Sequence, residues 1–186
     1  MLDINFPTID PKHPYALSKD EEEIMSRLES AFLNCEKLQD HMRFLLNKGG
    51  LYKVYNGNLL YHGCVPLKED GTLKSVRLYG RSYKGKSLYE VLESYVRKGF
   101  YALNKKEKER GKDMMWYIWL SENSPLFGKD KMATFERYFL AEKETHKEKK
   151  NPYYNLLENE KVINMILKEF GLTEESAHCL LYTSDA

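Results

Sequence analysis

Leu51–Pro66, Leu-Tyr-Lys-Val-Tyr-Asn-Gly-Asn-Leu-Leu-Tyr-His-Gly-Cys-Val-Pro, reads as a strand, an Asn56-Gly57 turn and a second strand that delivers His62 at its end. Gly63 follows, so the backbone is free to swing away behind the imidazole. If one residue of the chain does chemistry, the pattern points to His62, against the plainer reading of a satisfied histidine at a strand end. A single histidine is not an active site, and the chain around it has to supply partners.

Upstream, residues 1–17 carry Pro7, Pro11 and Pro14 and read as an extended lead-in. Ser18 and Glu21 make a capping box that opens a helix predicted to run to Lys48, where Gly49 and Gly50 stop it. Ile24, Leu28, Ala31, Cys35, Leu38, Met42 and Leu45 form one apolar stripe along that helix. Phe32, Phe44 and Leu46 widen the stripe beyond a coiled-coil seam, which favours packing onto the body of a domain.

Downstream, Lys68–Gly71 is a turn and Thr72–Tyr79 a predicted strand. Gly80–Lys86 carries three basic residues and two glycines but neither common phosphate-loop spacing, so a solvated connector is preferred to an anion loop. Ser87 and Glu90 predict a second capped helix to about Asn104, and Lys105–Lys112 reads as a mixed-charge loop. Met114–Leu120 is the most apolar run and predicts a buried strand, with Trp116 and Trp119 in the core rather than serving as stacking platforms.

The loop Ser121–Asp130 leaves the carboxyl end of that strand, where ligands bind in open α/β sheets. Lys131–Leu140 predicts a helix bearing Arg137, either a phosphate contact or an ion pair with Glu136 or its neighbours. Glu142–Lys150 is a charge run with a solvated His146, and Leu156–Phe170 forms the last helix, closed by Gly171. The alternation of helices and strands is a mixed α/β pattern.

The chain has 186 residues, enough for one domain, with 42% hydrophobic and 13% aromatic residues, which excludes a disordered chain. Basic and acidic residues nearly cancel, 29 against 28, so no field draws nucleic acid or an anionic membrane, and neither is expected as a partner. No apolar run approaches the roughly 20 residues of a membrane span. Cys35, Cys64 and Cys179 have neither metal-site spacing nor an even count, which fits a reducing compartment and a cytoplasmic protein. Residues 179–186, Cys-Leu-Leu-Tyr-Thr-Ser-Asp-Ala, look like the translation of a transposon-end sequencing adapter and are expected to lie outside the fold, which is assigned to residues 1–178.

Several long strings carry a family resemblance: Thr-Ile-Asp-Pro at 8–11 with Pro14-Tyr15, Asn-Leu-Leu-Tyr-His-Gly-Cys-Val-Pro-Leu at 58–67, Ser-Pro-Leu-Phe-Gly-Lys-Asp-Lys-Met at 124–132, Thr-Phe-Glu-Arg-Tyr-Phe at 134–139 and Lys-Asn-Pro-Tyr-Tyr at 150–154. Over residues 1–178 the chain resembles class III fructose-1,6-bisphosphatase, a family similar to the calcineurin-like metallophosphatases. The resemblance implies part of a β-sandwich with long amphipathic helices and hydrolysis of the 1-phosphate of fructose 1,6-bisphosphate in gluconeogenesis. It also implies a two-metal centre, with manganese the usual metal, in a parent expected to be a homo-oligomer.

Of the five ligand segments in that superfamily, this chain matches only the isolated histidine before glycine, so His62 is the implied metal ligand. A chain with one ligand of a dinuclear site is expected to be inactive by itself. Arg137, Lys129 and Lys131 are candidate contacts to the phosphate or sugar of a sugar phosphate substrate. The alternative is a non-catalytic helical interaction module, suggested by the Ser18–Lys48 stripe and the mixed-charge loops.

Overall fold

The computed structural model describes residues 1–173 and divides the chain into two units, residues 1–49 with 134–146 and residues 50–133 with those from 147 on. The adapter-like tail, with His178 and Cys179, lies outside the described residues. The structure is mixed α/β, but the described strands make two separate antiparallel hairpins, and no sandwich is among them.

In the first unit the predicted capping box at Ser18 is present: the Ser18 N–H donates to the Glu21 carboxylate at 2.7 Å, and the Ser18 hydroxyl accepts from the Glu21 N–H at 3.4 Å. The long helix expected from that cap is instead two, α1 (Lys19–Leu33) and α2 (Glu36–Lys48). Asn34 breaks it by turning its amide back onto the Ser30 hydroxyl at 3.0 Å, the local competition with helix that asparagine offers. The apolar stripe ignores this break because periodicity counts residues and not hydrogen bonds.

The stripe is also barely covered: α1 buries no residue, and Leu46 of α2 is the unit's one buried hydrophobic side chain among the described residues. The predicted helix Lys131–Leu140 contracts to α5 (Thr134–Phe139), whose Phe139 ring meets Phe6 of the lead-in at 5.6 Å. His146 is half-buried rather than solvated, its Nε2 lying 3.0 Å from the Leu140 carbonyl oxygen.

The second unit holds the core. Strands β1 (Tyr52–Tyr55) and β2 (Asn58–Tyr61) pair as the predicted hairpin, with Tyr52 opposite Tyr61, around Asn56 (φ 48°) and Gly57 (φ 74°), both in the left-handed conformation of the tight hairpin turn. A second hairpin joins β3 (Val76–Leu78) to β4 (Arg81–Tyr83) through Tyr79 and Gly80, so the expected Thr72–Tyr79 strand is shorter and the connector after it is itself a strand. Helix α3 (Gly85–Tyr101) starts two residues before the predicted cap. Ser87 therefore sits inside the first turn, accepting from the Lys84 N–H at 3.2 Å.

The largest correction concerns Lys105–Leu120. The charged loop and the buried strand expected there are one helix, α4, opened by Asn104, whose side chain accepts from the Glu107 N–H at 3.2 Å. Lys, Glu and Arg are good helix formers, and Met114 and Ile118, four residues apart, supply one inward stripe. Helices α3 and α4 meet at Gly99 and Gly111, where a Cβ on Gly111 would overlap the Gly99 backbone. Around that contact Leu88, Leu92, Met114 and Ile118 pack with Val76 and Leu78 of the second hairpin. Trp116 and Trp119 are 59% and 61% exposed, not core.

The other cluster joins the first hairpin to α6 (Glu160–Glu169) through Leu59, Tyr89, Tyr153, Ile166 and Phe170. A 3₁₀ turn at Pro152–Asn155 and a cap at Asn159 precede α6, so the last helix starts later than its apolar residues suggest. Gly171 (φ 83°) ends it as expected, with the Leu172 N–H returning to the Leu167 carbonyl at 2.9 Å.

Candidate functional site

His62 follows directly on β2, and the backbone on both sides of it is pinned. The Tyr61 and Tyr153 hydroxyls share a 2.6 Å hydrogen bond, the Cys64 N–H donates to the Pro125 carbonyl at 2.8 Å, and the buried Tyr89 hydroxyl donates to the Cys64 carbonyl at 2.8 Å. Gly63 (φ 83°) lies so close to the Pro125 and Leu126 backbone that a Cβ there would overlap it. The imidazole points out of this rigid turn and is exposed.

Burial makes the groups behind it weaker acids. The Cys64 thiol is pushed up to about 12, and desolvation, reinforced by neighbouring phenols, keeps Tyr89 and Tyr153 well above the usual phenol range. These hydroxyls are neutral hydrogen-bonding struts, not acid–base groups near neutral pH.

The loop against Gly63 is folded around a fully buried serine that composition does not single out. The Ser124 hydroxyl donates to the Ile118 carbonyl at 2.5 Å and accepts from the Leu126 and Phe127 N–H groups at 3.2 and 3.4 Å. Asn151 does similar work at the loop's far end. Its side-chain oxygen accepts from the Leu67 and Tyr153 N–H groups at 3.1 and 3.0 Å, while its own N–H donates to the Gly128 carbonyl at 2.9 Å. An asparagine directly before a proline was the available signal for that turn.

Beside Asn151 lies an open groove of about 470 Å³, lined by Lys68, Lys74, Lys129, Lys149 and Lys150 and by the carboxylates Glu69, Asp70, Glu122 and Asp130. Lys129 is engaged there: its ammonium bonds Glu148 at 2.9 Å, and the same carboxylate accepts from the Ala133 N–H at 2.9 Å. Lys149 meets Glu69 at 3.3 Å. His62 is not among the residues lining the groove.

The four residues singled out from sequence are divided between the units. His62, Lys129 and Lys131 belong to the second and Arg137 to the first, where its guanidinium donates to the His146 carbonyl at 3.5 Å. Among the described residues no group of three or more His, Cys, Asp or Glu side chains comes together to hold a metal ion. One exposed imidazole does not make a closed metal centre, so the donor set of these residues does not by itself fit the two-metal site that the resemblance implies.

The scaffold is mixed α/β, with one exposed histidine on a turn and a separate groove lined by lysines and carboxylates, and comparison with known proteins gives the family. The model of the Firmicute fructose-1,6-bisphosphatase family matches residues 1–181, and the chain belongs to that family. It is 48% identical over 180 residues to a protein of Clostridium beijerinckii named fructose-1,6-bisphosphatase class 3 1, covering 97% of this chain and 27% of the relative. It is 50% identical over 185 residues to the class 3 fructose-1,6-bisphosphatase of Listeria innocua, covering 97% of this chain and 28% of that protein. The chain thus spans just over a quarter of the length of these relatives. No solved structure matches it.

Proposed function

We propose that the chain is a segment of a class 3 fructose-1,6-bisphosphatase, which removes the 1-phosphate of fructose 1,6-bisphosphate to leave fructose 6-phosphate in gluconeogenesis. The observation that carries this reading is near-complete coverage of the chain at about half identity by proteins of that name. In this reading His62 is the one donor the segment contributes to a manganese centre, the remaining ligands coming from polypeptide outside it. The pinned backbone at Tyr61–Cys64 supports that role, because a ligand must be held within a fraction of an ångström of its productive position.

Lys129, Lys131 and Arg137 are proposed contacts to the sugar phosphate, and of these Lys129 lines the groove of about 470 Å³. The parent is proposed to be a cytoplasmic homo-oligomer. Among the described residues no helix is long and apolar enough to cross a membrane.

A chimera tests the reading directly. This chain is substituted for the matched segment of the Clostridium beijerinckii relative, and hydrolysis of fructose 1,6-bisphosphate and bound manganese are both measured. The expected result is retained turnover, with His62→Ala losing both manganese and activity while the chain alone shows neither. Full activity and unchanged manganese in His62→Ala would refute the ligand role, and turnover by the isolated chain would refute the incomplete-site reading.

A further inference from the structure

Helix α4 is amphipathic in an unusual sense, because both of its long faces are apolar over its second half. Met114 and Ile118 face inward onto Leu88 and Leu92, while Met115, Trp116, Trp119 and Leu120 remain exposed on the other side. Trp116 and Trp119 are the chain's only tryptophans, and their rings lie 5.3 Å apart, tilted by 34°, as one continuous surface. The platform under them is rigid, since α3 and α4 touch backbone to backbone at Gly99 and Gly111. Scattered exposed apolar side chains are ordinary, but two adjacent indoles with two apolar neighbours form a patch of the kind that marks an interface.

Two observations choose the occupant. At roughly 150–250 Å² per large aromatic side chain, the free parts of these indoles with Met115 and Leu120 offer a few hundred Å². A pairwise interface between separate molecules needs about 800 Å² on each side, so a second copy docking on this patch alone falls short. A segment of the same polypeptide needs far less, because the linkage supplies its effective concentration. The relatives this chain matches carry nearly three-quarters of their length outside the matched region.

We infer that the Met115–Leu120 face of α4 is the docking surface for another segment of the parent polypeptide. That segment presents an apolar helix or strand face, with a carbonyl or carboxylate near its edge to accept from an indole N–H. The inference rests on the chain being part of the longer class 3 protein, but its readout is burial of two indoles and not hydrolysis, so an inactive chimera that shields them still supports it.

Because only Trp116 and Trp119 report, the chain labelled with 5-fluorotryptophan gives a two-signal fluorine spectrum. In the chain alone both signals are expected to be solvent-exposed, quenched readily by acrylamide in fluorescence, and independent of protein concentration. Mixed with the Clostridium beijerinckii polypeptide lacking its matched segment, both signals are expected to shift, with a several-fold fall in quenching.

In the full chimera, Trp116→Ser with Trp119→Ser is expected to lower the thermal midpoint clearly, while the same pair leaves the midpoint of the isolated chain unchanged. Exposed indoles in the chimera, or no shift on mixing, would overturn the inference. Shielding that grows with concentration in the chain alone would also overturn it, in favour of a second copy as the occupant.

Discussion

The turn at His62 and the outer face of α4 both put large side chains into solvent, yet they are opposite kinds of surface. At the turn the Cys64 N–H and carbonyl are tied down by Pro125 and Tyr89, the Tyr61 hydroxyl is held by Tyr153, and the His62 ring is exposed. On α4 the backbone is equally firm, but what remains exposed is two indoles. A polar group displayed on a turn is already satisfied by water. An apolar face of that size is incomplete in water and waits for protein.

The comparison breaks first at Gly63. Replacing it with Ala forces a left-handed φ on a residue with a Cβ and drives that carbon into the Pro125 and Leu126 backbone, at an expected cost of about 3 kcal/mol. A shift of the urea midpoint measures it. A midpoint unchanged from the parent chain would mean that the turn is not held as described.

Next comes alkaline pH. The folded Cys64 thiol titrates at about 12 against 9.0 in the unfolded chain, and Tyr117 and Tyr154 at about 12 against 10.0, all chiefly through burial. The unfolded chain therefore releases these protons first, so stability is intact below about pH 9 and falls as pH rises from there toward 12. Urea midpoints measured through this range should decline, and Cys64→Ala should flatten the onset of the slope. A parent profile level to pH 11 would contradict the burial of these groups.

The smallest effect distinguishes the hydroxyl struts from simple packing. Tyr153→Phe keeps the ring that meets Tyr61 at 6.3 Å and removes only the hydrogen bond, for an expected loss of about 1 kcal/mol. Denaturant titration resolves a change of that size, and no loss would leave Tyr61 positioned by its ring alone.

Local signals were legible wherever one or two residues decide the backbone. Asn56-Gly57 specified its hairpin, the Ser18–Glu21 box opened α1 and Gly171 closed α6, since each acts through its own dihedrals or a hydrogen bond a few residues away. His62 was legible for the same reason, as a polar residue at a predictable strand end. Met114–Leu120 was misread because a short apolar run has no period of its own, and the charged residues before it, which continue the same helix, resembled a loop. Asn151 was missed because its Leu67 partner lies 84 residues away, and Ser124 because its burial, unlike its local hydrogen bonds to Ile118, Leu126 and Phe127, is set by the tertiary fold.

By itself, then, the sequence determined the Asn56-Gly57 turn, the start of α1, the ends of α2 and α6, and the family, because dihedral preference, capping and long matching strings are properties of contiguous residues. Tertiary structure decided which apolar faces are covered. The α1 stripe and the α4 indoles have the composition of core, but burial depends on what packs across from them, and periodicity cannot supply that partner. It also decided that Lys129 is spent on Glu148 while His62 is left facing outward, a distinction of contact that no residue pattern encodes.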